Sequence, residues 1–146
     1  MNLNQVTVPS KNIERAIEFY KNLGLRLIVR SLPEYARFVC PDGKATFSVH
    51  LVDALPKGEG VYVYFECADL AATVKNLLSK AIKFDQLPKK QPWLWEEARL
   101  KDPDGNQIIL YYAGENRVNP PWRIWKITTV YSLLNALTPA LTFTSK

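Results

Sequence analysis

Two stretches of the chain repeat apolar residues with the 3.6-residue period of an amphipathic helix, and each follows a run of strand-forming residues. The second helical stretch lies 57 residues after the first, and its apolar positions align with those of the first. The predicted buried faces are Ile13, Ala16, Ile17, Tyr20 and Leu23 in the first helix and Leu70, Val74 and Leu77 in the second. Because whole segments match at one offset, the pattern indicates an internal repeat.

Residues with capping chemistry set the expected ends of these helices. Ser10 is predicted to cap the start of the first helix, and Asp69 opens the second. Gly24 supplies a left-handed stop after the first helix, and Ala81 falls at the same offset in the second copy.

Three short β-rich runs follow each helix, and a Pro-Asp-Gly turn joins the last two of each set. The turns are Pro41-Asp42-Gly43 and Pro103-Asp104-Gly105. The order β-α-β-β-β therefore occurs twice, in modules 1–53 and 60–114, with a short linker between them. We predict an α+β fold built from two βαβββ modules.

The composition of the 146 residues is that of one soluble globular domain, with 47% hydrophobic and 23% charged residues. The net charge of +5 is spread along the chain, which argues against a nucleic-acid-binding surface. The uncharged stretch 127–145 is interrupted by polar residues and proline, so we predict no membrane span. With no signal-peptide pattern and two cysteines far apart in sequence, we expect a cytoplasmic protein with free thiols.

The segments "NIERAIEFYKNLGL" and "LKDPDGNQIILYY" make the region from Leu3 to Gly114 resemble the vicinal oxygen chelate superfamily. This superfamily contains glyoxalase I, bleomycin- and fosfomycin-resistance proteins and extradiol dioxygenases. The resemblance implies paired modules whose sheets form one curved, open cup. It also implies a cup that in many members holds a divalent metal, and a homodimer.

The four metal-ligand positions of the superfamily transfer poorly onto this sequence. They fall on Gln5, His50, Tyr62 and Ile109, where the metal-dependent members carry mostly histidine and glutamate. A catalytic metal needs about three protein ligands and an open position. Gln5 and His50, with Glu66 as a possible addition, are the candidate ligands, and we expect either no required cofactor or one divalent metal ion.

His50 and Glu66 are the candidate catalytic residues. His50 is the only histidine, and it serves either as a general base or metal ligand in the cup or as an ordinary strand residue. Glu66 lies in an otherwise uncharged run, so we expect it, rather than Glu97, to be the desolvated carboxylate.

Strand alternation places a second group of side chains on the same faces, and these form the candidate ligand-binding surface. They are Gln5, Thr7, Ser48, Tyr62, Tyr64, Trp95, Glu97, Arg99 and Tyr111. A surface rich in aromatic rings with a few polar groups suits a flat, partly apolar organic ligand.

The extension 115–146 falls outside the resemblance and is expected either to dock on the body or to be partly disordered.

Three functions therefore stay open. The leading one is a small-molecule-binding protein with a degenerate metal site. The alternatives are a metal-dependent enzyme, either a glyoxalase-like lyase or isomerase or a dioxygenase, and a protein-interaction module that uses its aromatic C-terminal segment.

Overall fold

The computed structural model describes residues 1–124. The first module contains β1 (Gln5–Ser10), α1 (Ile13–Leu23), β2 (Arg26–Ser31), β3 (Tyr35–Val39) and β4 (Thr46–Leu51). The second contains β5 (Tyr62–Glu66), α2 (Leu70–Ser79), β6 (Gln86–Lys90), β7 (Glu96–Lys101) and β8 (Gln107–Tyr112), followed by a short 3-10 helix, Gly114–Arg117. Most of the C-terminal extension, and with it the expected docking or disorder, lies outside the described residues.

The two modules have the same sheet topology. The first sheet has the strand order β1-β4-β3-β2, and the second has the order β5-β8-β7-β6. In the first sheet the edge strand β1 runs parallel to β4, with Thr7 opposite Ser48. In the second sheet the edge strand β5 runs parallel to β8 in the same way, with Tyr64 opposite Ile109. The predicted α+β fold of two βαβββ modules is confirmed.

The capping positions at the ends of the two helices also correspond, although the residue type differs at each position: Asn12 and Asp69 at the start, and Gly24 and Ala81 after the end. The N-cap of α1 is Asn12, which accepts a hydrogen bond from the Arg15 backbone N–H at 3.0 Å, so the prediction of Ser10 as the cap is wrong. Gly24, directly after α1, and Ala81, two residues after the end of α2, both have positive φ, at 113° and 60°. An alanine in the left-handed region is strained, because its Cβ crowds the following carbonyl oxygen.

We therefore expect Ala81→Gly to raise the free energy of unfolding by about 1 kcal/mol, the typical steric cost that glycine avoids. Gly24→Ala is the matched reverse change and should lower it by a similar amount, because open space around Gly24 leaves the backbone angle as the only obstacle. Urea denaturation of the two variants measures both effects. A destabilised Ala81→Gly variant would contradict the assignment of strain.

One hydrophobic core spans both modules. Its buried residues come from α1 and the inner face of the first sheet and from α2 and the inner face of the second. The rings of Phe47 on β4 and Phe65 on β5 meet at a centroid distance of 5.7 Å, and Tyr20 packs on Phe47 at 4.6 Å. The modules therefore share apolar surface, which joins them into one packed unit.

A buried carboxylate also joins the modules. Asp102, at the end of β7, is 5% exposed and accepts four hydrogen bonds through its two oxygens. The donors are the Tyr20 hydroxyl at 2.7 Å, the backbone N–H groups of Asp104 and Asn106 at 2.9 Å, and the Asn106 amide at 2.7 Å. The Tyr20 bond crosses from α1 to the second module, so one of the four donors to this costly buried charge is in place only when the modules are in contact.

The neighbouring Asp104 makes the second half of this contact. Its carboxylate accepts the Ser10 hydroxyl at 2.6 Å, the Lys11 backbone N–H at 3.1 Å and the Arg15 guanidinium at 3.0 Å. The Asp104 side chain is only 1% exposed. Ser10 thus binds the other module instead of capping its own helix.

Replacing Tyr20 by phenylalanine tests this contact through its pH dependence. Burial, followed by the charge of Asp102, raises the pKa of the Tyr20 phenol above its ordinary 10.0. The stability that depends on the protonated phenol is therefore present below pH 10 and is lost as the pH rises above 10, by about 1.4 kcal/mol per pH unit.

At pH 8 we expect Tyr20→Phe to be about 2 kcal/mol less stable than the wild type, the usual cost of losing a hydrogen bond to a charged group. Above pH 10 the gap between the two proteins should shrink, since only the wild type loses stability through this phenol. Urea unfolding at pH 8, 10 and 11 measures the gap. A gap that stays constant with pH would contradict the assigned role of Tyr20.

Candidate functional site

The outer face of the second sheet carries a cluster of four aromatic side chains and one isoleucine, which we call the aromatic face: Tyr62, Tyr64, Trp95, Tyr111 and Ile109. Trp95 stacks on Tyr111 with ring centroids 4.8 Å apart and an interplanar angle of 21°. Tyr64 meets both rings edge-on, at 5.9 Å from Trp95 and 5.6 Å from Tyr111. Tyr111 is 7% exposed, whereas Tyr64 is 45% exposed, so the cluster has a packed floor and an open upper edge.

The phenols of this face stay protonated at neutral pH. Burial, with the charge of Glu97 second, raises the pKa of Tyr64, and burial, with the charge of Glu66 second, raises that of Tyr111. The face thus presents neutral hydroxyl groups and aromatic rings to a ligand.

A fully buried carboxylate lies beside the aromatic face, on β7 opposite Tyr111. Glu97 is 0% exposed, and its oxygens accept hydrogen bonds from the Trp93 indole at 2.8 Å and from two nitrogens of Arg99 at 2.9 and 3.3 Å. The expectation that Glu66 rather than Glu97 is the desolvated carboxylate is therefore wrong. Glu97 lies on the internal strand β7, where Trp93 and Arg99 enclose it.

Glu66 occupies the edge strand β5, and this position explains its exposure. Its side chain is 40% exposed and pairs with Arg117 at 3.3 Å. Arg117 belongs to the 3-10 helix beyond β8, which places the beginning of the C-terminal extension beside the aromatic face. Sequence reasoning missed Arg117 because the extension falls outside the repeat.

Replacing Arg99 by methionine tests how much an unpaired buried carboxylate lowers the stability of the fold. Glu97 would keep one indole donor and lose its counter-ion, and we expect the free energy of unfolding to fall by about 2 to 3 kcal/mol. This value allows for the partial exposure of Arg99, which is 38% accessible. Glu97→Gln in the Arg99→Met background should restore most of the loss, since no buried charge then remains. Equal instability of the single and double variants in urea would contradict the account.

The outer face of the first sheet differs in character, and we call it the polar face: Gln5, Thr7, Tyr35, Arg37, Ser48 and His50. Thr7 and Ser48 lie opposite each other and share a hydrogen bond of 2.7 Å. Gln5 donates to Ser48 at 3.5 Å and accepts from the Thr46 hydroxyl at 2.9 Å. His50 is exposed, and its side chain makes no hydrogen bond within residues 1–124.

Tyr35 and Arg37 on β3 are polar-face residues that sequence reasoning missed. The Arg37 Nε donates to the Tyr35 hydroxyl at 2.8 Å. The pKa of Tyr35 is lowered, since burial, which raises it, is outweighed by hydrogen bonding from Ser48 and by the hydrogen bond and charge of Arg37. The signal was available in the alternation of "YARFV", which puts both residues on one side of the strand.

The side chains at the four inferred metal-ligand positions do not fit a metal site. Gln5 lies opposite Thr46 in the parallel ladder, so His50 is four residues, or about 13 Å, farther along β4. The Tyr62 hydroxyl donates to Glu59 at 2.6 Å, and Ile109 has no donor atom. No group of three histidine, cysteine or carboxylate side chains with metal-binding geometry occurs in the described residues. The structure does not bring Gln5, His50 and Glu66 together.

The two outer faces are separate in their interactions. Within the described part of the chain, no hydrogen bond, ion pair or ring contact joins a polar-face residue to an aromatic-face residue. The structure brings together six of the predicted ligand-binding residues on the second sheet: Tyr62, Tyr64, Trp95, Glu97, Arg99 and Tyr111. Gln5, Thr7 and Ser48 form the second group.

The family model of the Glyoxalase/Bleomycin resistance protein/Dioxygenase superfamily matches residues 2–110. The chain belongs to this superfamily. A search of curated proteins finds no match. The superfamily assignment accounts for the paired modules but leaves the specific activity open, because one fold of this kind supports many functions.

Solved structures of this superfamily share the fold at low sequence identity. A glyoxalase/bleomycin resistance protein/dioxygenase from Nocardioides is 19% identical over 86% of this chain and 90% of its own, with a TM-score of 0.70. A bleomycin-binding protein in complex with bleomycin is 20% identical over 77% and 98%, with a TM-score of 0.64. A lactoylglutathione lyase from Agrobacterium tumefaciens is 16% identical over 76% and 92%, with a TM-score of 0.65.

None of the helices in residues 1–124 is both long enough and apolar enough to cross a membrane.

Proposed function

We propose that this protein binds a small aromatic organic molecule on the aromatic face of its second sheet. The observation that carries the proposal is the stack of Trp95 and Tyr111 with the half-exposed Tyr64 at its edge. Aromatic rings held in a fixed arrangement offer a ligand contact area at little cost in conformational entropy. The ring of a flat ligand packs against Tyr64 and Trp95.

The polar groups around the rings orient the ligand. Arg99 is held by Glu97 on one side and is 38% exposed on the other, so its remaining N–H groups are available to an acceptor on the ligand. The Tyr64 hydroxyl is a neutral donor beside it. A ligand with a planar ring and a carboxylate, sulfonate or carbonyl group matches this arrangement.

The proposal assigns no chemical step to His50 or Glu66. A general base needs a partner that orients it within hydrogen-bond reach, and His50 has none within the described residues. Glu66 is paired with Arg117, which makes it part of the rim of the aromatic face. The side chains at the metal-ligand positions favour binding without metal-dependent lyase or isomerase chemistry.

A cytoplasmic homodimer is part of the same proposal. Cys40 and Cys67 are free thiols, which suits a reducing compartment. The edge strand β2 exposes Ile28 and Val29, at 47% and 37%, and an exposed apolar edge of this kind favours pairing with a second copy. The interaction-module alternative rests mainly on residues beyond 124, outside the described part of the chain.

Isothermal titration with 2-naphthalenesulfonate, a planar ring system carrying an anionic acceptor, tests the proposal. We expect Trp95→Ala to weaken binding about tenfold, because the ligand loses one wall of the aromatic cluster. Bleomycin, the ligand of one structural neighbour, is a second compound to titrate.

Trp122→Ala and His50→Ala are the controls. Trp122 is 57% exposed and lies outside the aromatic face, and His50 belongs to the polar face, so both variants should bind like the wild type. Equal loss of binding in Trp95→Ala and Trp122→Ala, or loss on replacing His50, would place the ligand elsewhere.

A further inference from the structure

The duplication creates two equivalent turn-to-helix contacts between the modules, and in the described residues the second of them is open. At the first, the turn between β7 and β8 meets the start of α1 through Asp102 and Asp104. At the second, the turn between β3 and β4 faces the start of α2 across a cavity of about 580 Å³. We call this space the junction cavity; its lining includes Leu23, Cys40, Asp42, Cys67, Ala72 and Thr73.

Substitutions at equivalent positions explain why the second contact is open. The first contact uses Ser10, Arg15, Tyr20, Asp102 and Asp104, and the residues at the corresponding places in the second are Cys67, Ala72, Leu77, Cys40 and Asp42. Four of the five polar groups have become small or apolar. The side chains that fill and neutralise the first contact are thus missing from the second.

Asp42 is the polar group that remains. Its counterpart Asp104 is held by a hydroxyl, a backbone N–H and a guanidinium, and its side chain is 1% exposed. Asp42 is exposed and, within residues 1–124, has neither a hydrogen-bond nor an ion-pair partner. The cation that Arg15 supplies at the first contact has no equivalent at the second.

The rest of the cavity combines an apolar floor with a negative rim. The floor of the cavity is lined by four apolar side chains: Leu23, Leu25, Phe65 and Leu110. Asp42, Asp69 and Glu66 also line the cavity. The Asp69 carboxylate caps α2 by accepting the Ala72 backbone N–H at 2.9 Å, and Arg117, the one cation lining the cavity within the described residues, pairs with Glu66. Burial raises the pKa of both lining thiols, Cys40 and Cys67, so they present neutral, weakly polar surface.

We propose that the junction cavity is a binding site for a small organic cation, an alkylguanidinium or alkylammonium. Its charged head binds Asp42 as Arg15 binds Asp104, and its alkyl chain packs against Leu23, Leu25 and Leu110. The site is distinct in chemistry from the aromatic face, which favours a planar acceptor, although Tyr64, Glu66 and Tyr111 border both.

The probe for this site is n-butylguanidinium, with the neutral n-butylurea as its shape-matched control. In isothermal titration against the full chain, we expect the cation to bind and the urea to bind at least about tenfold more weakly, since only the cation forms a charge-assisted pair with Asp42. Asp42→Asn should weaken binding of the cation by a similar factor. Asp53→Asn, which removes an exposed charge outside the cavity, should leave it unchanged.

A second variant tests the equivalence of the two contacts directly. Ala72→Arg places a guanidinium where α1 carries Arg15, so the protein's own side chain should occupy Asp42 and abolish binding of the probe. Ala71→Arg is the matched control, because a neighbouring residue on a helix points about 100° away and Ala71 does not line the cavity. Circular dichroism establishes that each variant is folded.

Three results would overturn the inference: equal binding of butylguanidinium and butylurea, unchanged binding in Asp42→Asn, or equal effects of Ala72→Arg and Ala71→Arg. Trp95→Ala separates this site from the aromatic face, because Trp95 does not line the cavity. Loss of naphthalenesulfonate binding with retention of butylguanidinium binding is the expected pattern for that variant.

Discussion

The buried carboxylate of Asp102 imposes the strictest requirement on this fold. An ionised group with 5% exposure is tolerated only with donors on both oxygens, and one of the four donors, the Tyr20 hydroxyl, comes from the other module. Asp104 adds three more cross-module bonds one turn away. The modules are therefore held in one relative orientation, because separation would remove one of the four donors to Asp102 and all three donors to the Asp104 carboxylate.

The two copies have diverged in opposite directions around this shared frame. The first module keeps hydroxyl, amide and guanidinium groups on its outer face, and the second carries rings beside an ion pair whose carboxylate is buried. At the module contacts, the first is closed by polar groups and the second is left open by small ones. Duplication thus produced two unequal faces and two unequal contacts from one pattern, so a single small domain carries surfaces of two different chemistries.

Periodicity and turn chemistry predicted the modules well, because both are local properties of the chain. Strand alternation also assigned Tyr64, Trp95 and Tyr111 to one face. It did not predict which of Glu66 and Glu97 is the more buried. Alternation identifies the face of a strand but not whether the strand is at the edge or in the middle of its sheet. Ser10 was misassigned for a related reason: its true partner, Asp104, is 94 residues away, and no local rule connects them. The open contact at Asp42 became apparent only when the closed one was available for comparison.

Native-state hydrogen exchange in increasing urea tests most directly whether these carboxylates make the modules one cooperative unit. The slowest amides of β3 and β4 report on the first module, and those of β7 and β8 report on the second. We expect one opening free energy for both sets in the wild type, and two different values in the Asp102→Ala/Asp104→Ala double variant, where the modules open separately. Wild-type values that differ by more than about 2 kcal/mol between the two sets would contradict this expectation.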